Sequence, residues 1–76
     1  MMADRVRFAH IGVSFPHAIG YLESLLLMPE VEIVALHDPD PGAARGLLPA
    51  ALQSLPMYDD VADLLARERP EAVTVT

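Results

Sequence analysis

The sequence contains no cysteine and no tryptophan, and only two phenylalanines and two tyrosines occur among its 76 residues. Without cysteine the chain can form neither a disulfide framework nor a thiolate metal site, which fits a reducing compartment, so we expect a cytoplasmic protein. Hydrophobic residues nevertheless make up 53% of the chain. We therefore expect an aliphatic core of leucine, valine, isoleucine and alanine, which suits an α/β protein.

Basic residues are also few, with five against eleven acidic residues and a formal net charge of −6. No segment gathers lysine or arginine into the basic patch that a nucleic acid would need. The longest aliphatic run, residues 25–28, is far shorter than the roughly 20 residues that span a bilayer. No apolar segment of a signal peptide follows the first charges, in residues 1–5. These absences exclude nucleic acid and membrane as expected partners and predict a chain that is not exported.

Four short apolar segments alternate with three segments of helical periodicity. The predicted strands are residues 6–13, 31–36, 56–58 and 72–76. The first predicted helix begins at Pro16 and ends at Pro29, and the second begins at Asp40-Pro41 and ends at Pro49. The third begins after Asp59 or Asp60 and ends at Pro70. Such alternation implies parallel strands joined by right-handed crossovers. The fold class is therefore α/β: a three-layer, doubly wound parallel sheet of Rossmann type, truncated after the fourth strand, with strand order 3-2-1-4.

The fourth predicted strand would lie at an edge of this sheet. It carries Val73 and Val75, and an uncovered apolar edge favours pairing with another chain. We therefore expect the chain to associate with copies of itself.

The turn between the first strand and the first helix lies where a dinucleotide-binding fold has its G-x-G-x-x-G sequence. Gly12 occupies the first glycine position, but Ser14 and His17 occupy the second and third. Ser14 is expected to cap the first helix, with Pro16 in its first turn, and the amino terminus of that helix keeps N–H groups for an anion. The alternative is an ordinary strand-to-helix turn.

Asp38 follows the second strand, 26 residues after Gly12. An acid at this position binds the adenine ribose hydroxyls in dinucleotide folds, and its charge would repel a 2′-phosphate, which favours NAD over NADP. Arg45 is the residue placed to reach such a phosphate if the second helix is suitably oriented. The alternative is that Asp38 only caps the turn at Pro39.

The three histidines are not expected to bind metal, because they lack the i, i+4 spacing of a helical pair. His10 and His37 lie near strand ends and are expected to be packed and hydrogen-bonded. His17 is either a contact for phosphate or nicotinamide, or a surface residue with a local hydrogen bond. The candidate cofactor-binding residues are thus Gly12, Ser14, His17 and Asp38, and the chain offers neither a catalytic nor a metal-binding set.

Four segments together resemble the glucose-fructose oxidoreductase and inositol dehydrogenase family, often called Gfo/Idh/MocA. They are Arg7 to Gly12 for the opening strand, Val31 to Asp40 for the second strand and its acid, Met57 to Asp60 leading into Leu64-Leu65, and Glu71 to Val75 for the fourth strand. The likeness covers nearly the whole chain.

The resemblance implies that residues 1–76 are part of an NAD(P)-binding Rossmann domain in a longer protein whose second domain binds a small-molecule substrate. Such enzymes transfer hydride between nicotinamide and a sugar, polyol or related molecule. Gly12 would turn beneath the pyrophosphate and Asp38 would meet the adenosine ribose. The family's catalytic lysine, in a Glu-Lys-Pro motif after the next strand, has no counterpart before Thr76, so we expect the chain alone to be inactive.

Two other functions fit the same sequence. One is a non-catalytic Rossmann-like module that has lost affinity for dinucleotides and serves binding or association. The other is a small one-domain binder of nucleotide or phosphate.

Overall fold

The computed structural model describes residues 5–76. Residues 1–4, part of the stretch from which we predict that the chain is not exported, lie outside this range. The elements are β1 (Val6–Ile11), α1 (Ala18–Leu26), β2 (Val31–His37), α2 (Pro41–Arg45), a 3-10 helix (Ala50–Leu52), β3 (Met57–Tyr58), α3 (Val61–Glu68) and β4 (Ala72–Val75). Within residues 5–76, no helix is both long and apolar enough to cross a membrane.

The strands form one sheet in the order β3-β2-β1-β4, and every neighbouring pair is parallel. This confirms the predicted α/β class and the predicted strand order. Because the strands are parallel, their carboxyl ends lie at one edge of the sheet, where ligands bind in open α/β folds. The segments that follow β1, β2 and β4 therefore meet at this edge.

Apolar side chains cover both faces of the sheet. The larger core joins α1 and α2 to one face through Val13, Leu22, Leu25, Val31, Ile33, Leu36, Ala44, Leu48 and Leu52. On the opposite face, Leu64 of α3 packs against Ala9 and Ala35. The pairing of β1 with β2 shifts by one residue after Phe8, which leaves Val34 as an extra residue in β2. The sheet is thus buried on both sides along β2.

Aspartates begin the second and third helices as predicted. The Asp40 carboxylate accepts a hydrogen bond from the Ala43 N–H at 3.3 Å, and the Asp60 carboxylate accepts one from the Asp63 N–H at 3.1 Å. The apolar spacing of residues 61–65 also predicts that Leu65 faces inward, but this residue is 42% exposed. With eight residues, α3 presents only a narrow stripe to the sheet, and Leu64 occupies it.

Candidate functional site

Gly12 forms the turn that leaves β1, at the carboxyl edge of the sheet. Its φ is +92°, and its N–H donates to the carbonyl oxygen of His37 at 2.9 Å. A Cβ at this position would lie 2.7 Å from Phe15 Cδ2 and 2.7 Å from the Thr76 carbonyl oxygen. Both the left-handed backbone and the lack of space therefore require glycine.

Ser14 does not cap α1, so that prediction is wrong. Its hydroxyl and its N–H both donate to Oδ1 of Asp38, each at 2.7 Å. The first helix begins later than predicted, at Ala18, and Pro16 lies in the turn before it rather than in its first turn. The physical reason is the acceptor: an ionised carboxylate binds a hydroxyl and an N–H more strongly than neutral partners do.

His17 is the residue that precedes α1, and its backbone is left-handed, with φ 72° and ψ −9°. Its side chain is exposed and makes no capping hydrogen bond to the helix. Histidine tolerates this conformation better than most residues do, but glycine adopts it without strain. His17 occupies the third glycine position of the fingerprint, and its backbone therefore has the left-handed conformation that glycine adopts most easily.

Asp38 lies directly after β2 and is almost fully buried, with 1% of its surface exposed. Besides the two hydrogen bonds from Ser14, its Oδ2 accepts the N–H of Asp40 at 2.9 Å. This last bond holds the turn at Pro39, as in the alternative drawn from the sequence. Burial disfavours the charged carboxylate, but the bonds from Ser14 and Asp40, with His37 nearby, outweigh it and lower the pKa of Asp38. The group is a buried anion at neutral pH.

Arg45 does not turn toward Asp38. Its guanidinium donates to the carbonyl oxygens of Gln53 and Leu55, in the segment between the 3-10 helix and β3. Gln53 in turn donates to the carbonyl oxygen of Arg45 at 2.9 Å. The arginine considered for a 2′-phosphate therefore has local partners that hold α2 against this segment.

His10 lies under the Gly12 turn and is buried. Its Nδ1 is 2.6 Å from the Thr74 hydroxyl, and its Nε2 is 3.2 Å from the Thr76 hydroxyl. Thr76 donates its only hydroxyl proton to the carbonyl oxygen of Gly12, at 2.7 Å, so it accepts from Nε2–H. Nδ1 then accepts from Thr74. Burial lowers the pKa of His10, which favours this neutral tautomer.

The two threonines of this network, Thr74 and Thr76, were not predicted from the sequence as site residues. A signal was present, because Thr74 and Thr76 alternate with Val73 and Val75 and therefore share one face of the predicted strand, residues 72–76. The strand order 3-2-1-4 places that strand beside His10. What periodicity alone does not reveal is that the two hydroxyls bind both nitrogens of one ring.

His37 is buried with 8% of its surface exposed, and its Nδ1 has no hydrogen-bond partner among the described residues. The prediction that His37 is packed near a strand end is confirmed by its burial, but no hydrogen bond to its Nδ1 is found within residues 5–76. No cluster of three or more His, Cys, Asp or Glu side chains suited to a metal ion occurs in residues 5–76.

The carboxyl edge thus brings Gly12, Ser14 and Asp38 together and leaves His17 exposed at the start of α1. Gly12 meets the needs of this chain's own packing, because Phe15 and Thr76 occupy the space beside its Cα. The carboxylate does not fit a ribose as it stands, because an ionised carboxyl group has about four acceptor positions and three of them are filled by this chain. Binding of both ribose hydroxyls therefore requires one of these three hydrogen bonds to be released.

Neither a scan against protein-family models nor a search of curated proteins gives a match for this chain.

Proposed function

We propose that this chain is the dinucleotide-binding part of an NAD(P)-dependent oxidoreductase that transfers hydride to or from a sugar, polyol or related small molecule. One observation carries the proposal. The left-handed turn at Gly12 and the acid at Asp38 lie together at the carboxyl edge of a parallel sheet with order 3-2-1-4. This combination supports a nucleotide site between the first two strands.

Within this proposal, Gly12 makes the turn beneath the pyrophosphate, and Asp38 binds the ribose after the Ser14 hydroxyl rotates away from it. The buried negative charge of Asp38 favours NAD over NADP. The hydride-transfer residues and the substrate domain belong to other parts of the protein, so this chain contributes binding alone. The protein works in the cytoplasm and associates with copies of itself through β4.

Isothermal titration calorimetry of the chain with NADH and NADPH tests the proposal. We expect a dissociation constant below about 1 mM for NADH, or about −4 kcal/mol, and weaker binding of NADPH. Amide shifts in an NMR titration should be confined to residues near Gly12 and Asp38. Absence of heat with both dinucleotides would contradict the proposal.

A second candidate function is a non-catalytic association module. Two observations favour it: Ser14 and Asp38 bind each other, and the Val75 side chain at the edge of the sheet is 68% exposed. This candidate predicts self-association together with no dinucleotide binding. Sedimentation velocity and the calorimetry above separate the two functions.

A further inference from the structure

Two sets of hydrogen bonds join the loop between β1 and α1 to the end of β2. The N–H groups of Gly12 and Val13 donate to the carbonyl oxygen of His37, and Ser14 donates to the side chain of Asp38. Both polar groups of Ser14 that can donate, the N–H and the hydroxyl, bind the same oxygen of Asp38. Left-handed residues, Gly12 and His17, bound this loop on either side. The Ser14–Asp38 pair is therefore the side-chain link between this loop and the end of β2.

The number of acceptor positions on the Asp38 carboxylate limits what else it can bind. An ionised carboxyl group accepts about four hydrogen bonds, and Ser14 and Asp40 supply three. A nucleotide ribose presents a 2′- and a 3′-hydroxyl side by side, and binding both requires two acceptor positions. Only one is left, on a side chain with 1% of its surface exposed.

We propose that the Ser14 hydroxyl competes with the ribose diol of a nucleotide for the Asp38 carboxylate, and thereby sets the affinity and the ribose selectivity of the site. This inference rests on the proposed nucleotide-binding function. When the hydroxyl rotates away, Oδ1 regains an acceptor position and the carboxylate can receive both ribose hydroxyls. The Ser14 N–H bond holds the loop in either case. Ser14 is thus a residue that limits binding rather than one that supplies a contact.

Affinity should rise when the competing hydroxyl is removed, because the observed dissociation constant is the intrinsic one divided by the fraction of competent molecules. Ser14→Ala removes only the hydroxyl and keeps the N–H bond to Asp38. We expect this variant to bind adenosine monophosphate about tenfold more tightly than the wild type. Ser14→Thr restores a hydroxyl and should restore the wild-type affinity.

The ribose itself supplies the decisive comparison. 2′-Deoxyadenosine monophosphate has only one of the two hydroxyls and needs only the position that is already free. The wild type should therefore bind the two nucleotides within about threefold of each other, whereas Ser14→Ala should prefer the ribonucleotide by about tenfold. A merely structural effect of the alanine would change both affinities equally.

Calorimetry with both nucleotides on the full chain tests the inference, with Ser24→Ala as the matched control. Ser24 also loses a hydroxyl in this variant, but that hydroxyl donates to the Gly20 carbonyl oxygen within α1. The control should match the wild type for both nucleotides. Circular dichroism verifies that each variant is folded.

The outcomes distinguish this inference from the proposed function. Measurable binding with equal affinities and equal selectivity in the wild type and Ser14→Ala overturns the inference and leaves the proposed function standing. If neither protein binds either nucleotide at about 10 mM, both are overturned. If Ser14→Ala does not fold, the wild type decides alone: a preference above about tenfold for the ribonucleotide overturns the inference, and a preference within about threefold supports it.

Discussion

The hydroxyl of Thr76 donates a hydrogen bond to the carbonyl oxygen of Gly12 at 2.7 Å. It joins the segment after β4 to the turn after β1, 64 residues earlier in the chain. The same hydroxyl accepts a hydrogen bond from the buried ring of His10. One hydroxyl group therefore links the turn at Gly12, the His10 ring and the end of the edge strand. The region around Gly12 is therefore closely packed.

Replacing Gly12 by alanine should destabilise the fold by about 2–4 kcal/mol, because the new Cβ would need a strained φ and would meet Phe15 and Thr76. Gly20→Ala is the matched control, since no atom lies within 4 Å of a Cβ there. In the helix it should raise stability by about 1 kcal/mol. Urea unfolding followed by circular dichroism measures both effects. Equal effects of the two substitutions would contradict the packing described for Gly12.

Asp38→Asn should lower the free energy of unfolding by about 2–3 kcal/mol, because an amide nitrogen would face the N–H of Asp40 or the donors of Ser14. Asp59→Asn, at an exposed aspartate, should change it by less than about 0.5 kcal/mol. Urea unfolding at pH 7 compares the two variants. A change of less than about 0.5 kcal/mol in the free energy of unfolding of Asp38→Asn would show that the buried anion does not stabilise the fold.

The depressed pKa of Asp38 also predicts acid sensitivity. In the folded chain this carboxyl binds a proton less readily than in the unfolded chain, where the pKa is near 3.8. Its contribution to stability is therefore complete above pH 3.8 and is lost as the pH falls through the folded pKa. When the pH is lowered, the free energy of unfolding of Asp38→Asn should therefore fall less than that of the wild type.

His10 should make the fold less stable as the solution becomes mildly acidic. Burial lowers its pKa below 6.5, so the folded state binds a proton less readily than the unfolded state. Its contribution is complete above pH 6.5 and declines as the pH falls below that value. His10→Gln cannot titrate, so its stability should fall less between pH 7 and pH 5 than that of the wild type. Parallel curves for the two proteins would contradict this account, since His17 and His37 are common to both.

Glycine should stabilise the chain at two positions. His17 and Arg69 have left-handed backbones, with φ of 72° and 48°. Relief of this strain should raise the free energy of unfolding by about 0.5–1 kcal/mol for His17→Gly and for Arg69→Gly. His17→Ala retains a Cβ and should give no gain. Thermal unfolding decides, and a loss of stability in both glycine variants would refute the prediction.

Self-association should depend on the exposed valines of β4, Val73 and Val75, whose side chains are 38% and 68% exposed. Val75→Lys should shift the chain toward monomer in sedimentation velocity, because a charge blocks edge pairing. Leu27→Lys makes the same change of charge at a residue that is 84% exposed on another part of the surface. It should leave association unchanged. A wild type that stays monomeric at high concentration would refute the edge contact.

The sequence predicted most of the architecture, because apolar periodicity and helix-capping residues are local signals. The strand order followed from the alternation of strands and helices, which predicts a doubly wound sheet, and it is confirmed. Asp40 and Asp60 begin helices as expected. The start of α1 was predicted too early, since Ser14 and Pro16 have the preferences of a helix start. In the structure the Ser14 hydroxyl donates instead to the carboxylate of Asp38, which lies 24 positions later in the chain and is therefore not a local signal.

The candidate site was predictable in part for the same reason. Gly12 and Asp38 were identified from their positions after neighbouring strands, and the structure places them at one edge of the sheet. The direction in which each side chain points could not be predicted from the sequence. Tertiary packing decides whether the Asp38 side chain faces solvent or the loop. It also decides that His10 pairs with Thr74 and Thr76.

The bond between Thr76 and Gly12 also bears on the order in which the chain folds. Its partners are separated by 64 residues, so the chain must bring together nearly all its length before the bond can form. The first turn of the sequence therefore reaches its final form only when β4 docks beside β1. Folding kinetics should show the Thr76 N–H, which donates to the Ile11 carbonyl oxygen, becoming protected from hydrogen exchange later than the Gly12 N–H, which donates to His37 at the end of β2.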